Sequence, residues 1–334
     1  VTGAGDHIPW YSQSALKHAY KNKAIVIAPD YPLGPEANYE DIFTALGDFL
    51  TFYKLDGCFE PGHKHWTQWL KSQIKKDITI DKDNIFIEGE SAGGHAIITT
   101  LFLNADKDLD FKLPIKAVML RYPMIGHYNR TFPITTNGKM GFMNAEFDKD
   151  EVNEYAKGIK EAIHRLETTT VGGQTGFVRT RTKGYAPEYM WAAPVLTIAG
   201  EWKGLFQRSH GGEKSKPDEI YNLDCLERVV KMRVSVDPEL LPPIVIHHAA
   251  DDANCPIADT AEFKEILQGT FPDRYLPGDE MVRVIKVIQL EEPDGIKGKE
   301  PSKAVGHGYD YWQENEPFQL ECFKFVSKFW PESS

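Results

Sequence analysis

Asn84-Ile85-Phe86-Ile87-Glu88 runs into Gly89-Glu90-Ser91-Ala92-Gly93-Gly94, and an apolar stretch follows from Ala92 to about Asn104. The first run is short and rich in β-branched and aromatic residues, which predicts a strand; the last has the length and composition of a helix. Joining a strand directly to a helix across Gly-x-Ser-x-Gly requires a sharp, strained turn flanked by residues small enough for the two elements to approach. Gly89 and Gly93 are read here as those small residues. Such a turn belongs in a parallel sheet whose strands alternate with crossover helices, and it lifts the serine above the carboxyl end of the sheet.

The same rhythm continues on both sides. Ala24-Ile25-Val26-Ile27-Ala28 predicts a buried strand, followed by a breaker-rich loop from Pro29 to Glu36 and a helix from about Tyr39 to Tyr53. Ile115 to Leu120 predicts another strand. From about Pro123 to Leu240 strand-like runs become scarce, and helical stretches such as Asp148 to Leu166 and Pro217 to Val230 take over. The strand pattern resumes at Pro243 to His248, passes through a helix near Ala258 to Leu267, returns at Met281 to Ile288 and closes with a helix from Pro317 to Phe329. The expected organisation is therefore an α/β core in two parts, residues 1–122 and 241–334, with a mainly helical cap inserted at 123–240. A chain of 334 residues is long enough for this.

Composition narrows the function classes. With 38 basic and 49 acidic residues the formal net charge is −11, and no run of Lys and Arg could track a phosphate backbone, so no nucleic-acid partner is expected. No apolar run approaches the ~18 residues of a membrane span. Cys58, Cys225, Cys255 and Cys322 are scattered without metal or redox spacing and read as free thiols. One glycosylation sequon occurs at Asn129-Arg130-Thr131, a match common by chance. The chain opens without Met, a charged n-region or an apolar h-region, so any targeting segment is either absent or cut off, and the location is open, with the cytoplasm weakly favoured.

A serine hydroxyl needs an adjacent base, and the base needs an orienting carboxylate. Ser91 is the candidate nucleophile; the plainer reading is a capping serine in a glycine-rich turn, which the strand-to-helix context disfavours. The N–H of Ala92, in the first turn of the helix, is a candidate oxyanion donor. Among eleven histidines only His307 follows the last expected strand in a flexible setting, Val305-Gly306-His307-Gly308, and it is the candidate base. His247 and His248 precede the acid in chain order, and at least one should be packed structurally. His63 and His65 have no third ligand nearby, so no metal is expected, and nothing calls for a cofactor. The acid should lie in the turn after His248, where Asp251 and Asp252 both stand.

Gly89-Glu90-Ser91-Ala92-Gly93-Gly94, together with Pro29-Asp30-Tyr31-Pro32-Leu33-Gly34-Pro35-Glu36, resembles the hormone-sensitive-lipase-like branch of the α/β-hydrolases. That branch carries G-[DE]-S-A-G-G and D-Y-R-L-A-P-E at similar separation. The resemblance implies an α/β-hydrolase fold and places the acid four residues before a proline, which selects Asp252 ahead of Pro256. It also implies a small-molecule ester substrate cleaved through an acyl-enzyme, with lactone or amide hydrolysis as variants and a non-catalytic binding protein as the reading from another class. Two departures accompany it. The arginine and alanine of the second segment are Pro32 and Gly34 here, which predicts the loss of a supporting salt bridge. The H-G-G-G oxyanion motif of the family occurs nowhere in the chain, so the sequence reads as N-terminally incomplete, with a neighbour missing beside the Ser91 strand or a rearranged pairing there.

Overall fold

The computed structural model describes residues 11–57, 65–74, 78–126, 137–142, 145–168, 170–171, 174–175, 187–208, 229–276, 278, 281–290, 305–310, 313 and 315–330. Its centre is a four-stranded, wholly parallel sheet of β1 (Ile85–Glu90), β2 (Ile115–Arg121), β7 (Ile244–Ala249) and β8 (Val282–Val287), in the order β1-β2-β7-β8. Two small antiparallel hairpins, β3 (Met140–Phe142) with β4 (Ala145–Phe147) and β5 (Thr170–Val171) with β6 (Gln174–Thr175), lie in the chain between β2 and β7. The helices in chain order are α1 (Gln13–Lys21), α2 (Tyr39–Lys54), α3 (Trp66–Ile74), α4 (Ser91–Ala105), α5 (Lys149–Thr168), α6 (Pro187–Ile198), α7 (Trp202–Gln207), α8 (Ile257–Thr270) and α9 (Pro317–Val326).

Side-chain alternation along the central strands builds the layers. Ala117 and Met119 of β2 and Val245 of β7 face Cys322, Phe325, Val326 and Trp330, so α9 covers one side of the sheet. Val118 and Leu120, with Ile244 and Ile246, join the larger core formed with α2, α4 and α8 on the other. A strand covered on both faces must be apolar almost throughout, and β7 is buried at every position. The helix α2 starts at a reciprocal cap between Asn38 and Asp41 and buries Tyr39, Ile42, Leu46 and Leu50, one stripe at helical spacing.

One expected strand is absent. Residues 24–28 form no ladder, and Ile25 and Val26 are 39% and 50% exposed. A β-branched run becomes a buried strand only where a sheet edge and a covering layer receive it. Here the chain leaves α1 through Lys23, at φ 54, and of this segment Ala24 packs beside Phe86 of β1 and the α9 layer. Among the described residues β2 is the one ladder partner of β1, whose six positions are all half-buried. Residues 1–10 and most of the expected helix from Pro217 lie outside the described residues, as do Cys58, Cys225, His63 and the Asn129 sequon. No helix among the described residues is long and apolar enough to cross a membrane.

Candidate active site

The turn between β1 and α4 depends on two glycines, though not the two that the sequence motif suggests. A Cβ on Gly89 would lie 2.6 Å from the Gly93 carbonyl oxygen and 2.5 Å from Ile97 Cγ1. A Cβ on Gly94 would lie 2.5 Å from Pro123 Cβ, because the loop after β2 crosses there and the Met124 N–H donates to the Ser91 carbonyl at 2.8 Å. Gly93, expected to be small for close approach, meets nothing within 4 Å at its own Cβ position. The tight contact is with its backbone, made from Gly89. Ser91 takes φ 47, the left-handed region that residues with a Cβ seldom enter, and this turns its hydroxyl out of the strand direction.

His307 stands in the loop after β8. Its Nε2 is 2.9 Å from Ser91 Oγ, and its Nδ1 is 2.8 Å from Asp252 Oδ2. Gly308, at φ 75, lets the backbone turn immediately after the imidazole; Gly306 adopts no such conformation. Asp252 follows β7 by three residues and is the carboxylate that faces His307, whereas Asp251 is exposed. Its Oδ1 accepts the N–H groups of Asn254 and Cys255, each at 2.8 Å. Burial alone would raise the Asp252 pKa, but hydrogen bonds from His248, His307 and the Cys255 N–H outweigh it and hold the group well below the usual carboxylate range. The chain Ser91–His307–Asp252 therefore joins loops at the carboxyl ends of β1, β8 and β7. Ala92 is the second residue of α4, so its N–H belongs to the first-turn set that has no acceptor within the helix.

Both histidines of β7 are buried and hydrogen-bonded. His248 meets Thr260 Oγ1 through Nδ1 at 2.8 Å and the Cys255 carbonyl through Nε2 at 2.6 Å. His247 Nδ1 is 2.6 Å from the Tyr309 hydroxyl, and burial lowers its pKa to about 4. His65 Nδ1 lies 3.1 Å from the Asp56 carbonyl oxygen, and no group of three or more His, Cys, Asp and Glu among the described residues is arranged for a metal ion.

The sequence reading missed a buried ionic cluster directly behind the serine. The Arg121 guanidinium, at the end of β2, meets Glu88 Oε1 at 2.8 Å, Glu90 Oε2 at 2.5 Å and Asp310 Oδ2 at 2.9 Å. Burial disfavours this cation, but Asp310, Glu88 and Glu90 together hold its pKa well above the ordinary value. Burial pushes Glu88 up to about 7 against the attraction of Arg121. The available signal was three charges in otherwise apolar strands, at Glu88, Glu90 and Arg121. Pro32 removes one arginine of the family pattern, and Arg121 supplies a cation to Glu90 from a different strand.

The parallel sheet, the strained elbow after β1 and the order serine, aspartate, histidine define the α/β-hydrolase fold. A family profile described as alpha/beta hydrolase fold matches residues 4–157. Within that class the chain is 28% identical over 280 residues to a probable carboxylesterase, M8, of Phoma sp., covering 81% of this chain and 71% of that one. Carboxyl esterase 2 of Tuber melanosporum is 15% identical with a TM-score of 0.43, over 98% of this chain and 76% of its own. Esterase B of Lactobacillus rhamnosis is 12% identical with a TM-score of 0.38 over 89% of this chain, which spans 65% of that protein's length.

Proposed function

We propose that this protein hydrolyses carboxylic esters of small molecules through an acyl-enzyme, with Ser91 as nucleophile, His307 as general base and Asp252 as the orienting carboxylate. The observation that carries the reading is the unbroken hydrogen-bond chain from Ser91 Oγ through both ring nitrogens of His307 to Asp252. With Asp252 ionised, Nδ1 of His307 holds the proton and Nε2 is left as an acceptor for the serine proton. Attack of Oγ on the ester carbonyl carbon forms the C–O bond while that proton passes to Nε2. The Ala92 N–H and the positive end of α4 stabilise the oxyanion. Collapse expels the alcohol, which takes the proton from His307; water, deprotonated by the same nitrogen, then releases the acid.

The similarity to a probable carboxylesterase favours an ester over a lactone or amide. Residues 123–240 are read as a cap over the serine. The aromatic residues Tyr189, Trp191, Trp202 and Phe206 of this stretch suit either an apolar pocket or the core of a helical subdomain; Trp202 and Phe206 are stacked at 5.0 Å, buried, and packed on the loop at Gly34, as core residues would be. The side chains of Tyr189 and Trp191 lie outside the described residues.

The test is labelling by a fluorophosphonate probe together with hydrolysis of p-nitrophenyl esters of increasing acyl length. The label should sit on the peptide containing Ser91 and be lost in Ser91→Ala and His307→Ala. Each single variant should lose as much turnover as the double variant, since the two act as one unit. A folded protein that neither labels nor cleaves any ester of the series would sink the proposal.

A further inference from the structure

Two residues in the left-handed region stand side by side. Ser91 (φ 47) follows Glu90, Tyr122 (φ 35) follows Arg121, and Glu90 and Arg121 are register partners in the sheet. For the serine, this backbone presents a hydroxyl. For a bulky aromatic residue it is a true outlier, stable only where the surroundings fix it, and such residues gather at functional sites.

The conformation delivers the Tyr122 side chain to the loop that bears His307. The ring meets the imidazole of His307 edge to face, with centroids 4.7 Å apart and planes at 64°. Its hydroxyl donates to Asp310 Oδ1 at 2.8 Å, with a longer approach of 3.4 Å to Glu90 Oε2. The other oxygen of Asp310 accepts from Arg121 Nη1 at 2.9 Å. Arg121 and Tyr122 are consecutive, so the end of β2 grips both oxygens of one buried carboxylate. Asp310 lies three residues beyond His307 and also faces His247 Nε2 at 3.6 Å. Charge-assisted bonds of this kind are short and directional, and they fix a loop more firmly than apolar packing does.

We propose that Tyr122 and Asp310 are positioning residues for His307: the Tyr122 ring sets the tilt of the imidazole, and the bonds of Asp310 to Tyr122 and Arg121 lock the height of its loop above the sheet. The inference rests on the esterase reading, in which His307 must reach Ser91 and Asp252 at once. A displacement near 1 Å can lower turnover by ~10²-fold.

The experiment compares Tyr122→Phe, Tyr122→Leu, Asp310→Asn and Asp310→Ala with the unaltered chain. Tyr122→Phe keeps the ring and loses the hydroxyl bond, and should lower kcat about tenfold with KM within twofold; Tyr122→Leu should lose about 100-fold. Asp310→Asn retains an oxygen for the Tyr122 hydroxyl and should stay closer to the unaltered protein than Asp310→Ala. A second readout does not depend on turnover: the proton resonance of His307 Nδ1–H, identified by its loss in His307→Gln. It should be sharp in the unaltered chain and broadened in Tyr122→Leu and Asp310→Ala. If Leu or Ala variants fail to fold, Tyr122→Phe and Asp310→Asn decide by the same two measurements. Folded variants with kcat and this resonance unchanged overturn the inference. If the unaltered chain cleaves no ester, the esterase reading fails and the resonance alone decides the positioning role.

Discussion

The Oδ2 atom of Asp252, which faces Nδ1 of His307, also lies 3.4 Å from Nε2 of His248. Because that Nε2 is 2.6 Å from the Cys255 carbonyl, which can only accept, it holds a proton and points it between the carbonyl and the carboxylate. Asp252 is thus surrounded by N–H donors: two from the backbone, two from imidazoles. An amide in its place would set its NH₂ against one of them or force His307 into the wrong tautomer. On the proposed reading Asp252→Asn should lower kcat by ~10⁴-fold, the scale of such a change in a serine-histidine-aspartate triad. Asp251→Asn, at the exposed neighbour, should stay within twofold. Equal losses in the two variants, measured on the same p-nitrophenyl ester, would reverse the assignment.

The elbow glycines separate in the same way. Gly94→Ala drives a Cβ into Pro123, whose loop is tied to Ser91 by the Met124 hydrogen bond, so Ser91 must move with it. A stability loss of about 1–3 kcal/mol is expected together with reduced turnover. Gly93→Ala places its Cβ in open space within a helix and should leave stability unchanged or raise it by up to ~1 kcal/mol. Thermal midpoints and kcat of the two purified variants check this, and a Gly93→Ala as damaged as Gly94→Ala would contradict the contact geometry.

Glu88 gives a pH signature. Its folded pKa, raised from 4.5 to about 7 chiefly by burial, lies above the unfolded value. The unfolded chain therefore releases this proton first as pH rises. The stability Glu88 contributes is full below about 4.5, falls through the interval and is gone above about 7, a change of about 3 kcal/mol at most. Glu88→Gln should remove that fall. His247, with its pKa lowered by burial, acts in the opposite direction: its contribution is full above 6.5 and is lost as pH falls toward about 4. It remains in both proteins, so the difference between them isolates Glu88. Urea unfolding at pH 5 and pH 8 should show the unaltered chain losing stability relative to Glu88→Gln; parallel behaviour would place the Glu88 charge outside the buried cluster.

What was legible in the sequence is what local pattern determines. The apolar runs at Ile85, Ile115, Ile244 and Val282 became the four strands, and the Gly-Glu-Ser-Ala-Gly-Gly stretch became the elbow, because each is specified by neighbours in sequence. Ala24 to Ala28 has the same local pattern and failed as a strand, since pairing depends on an edge that no local pattern reveals. The Arg121 cluster was hidden for a related reason. Its members come from β1, β2 and the loop after His307, and Arg121 and Asp310 are 189 residues apart. Gly34 shows the limit from the other side: what looks like a loss of alanine from the family pattern is the space that Trp202 and Phe206 occupy, each 2.9 Å from where a Cβ would stand.

Ser91 and His307 are 216 positions apart, yet they share one hydrogen bond. During synthesis the serine emerges long before the histidine to which it is hydrogen-bonded, so on the proposed reading the ribosome-bound chain should stay unreactive throughout that interval. Reactivity toward a serine-directed probe should therefore switch on only once the final strand and the loop behind it have docked. Labelling of Ser91 would then report the closing of a long-range contact rather than the early local turn that holds the serine.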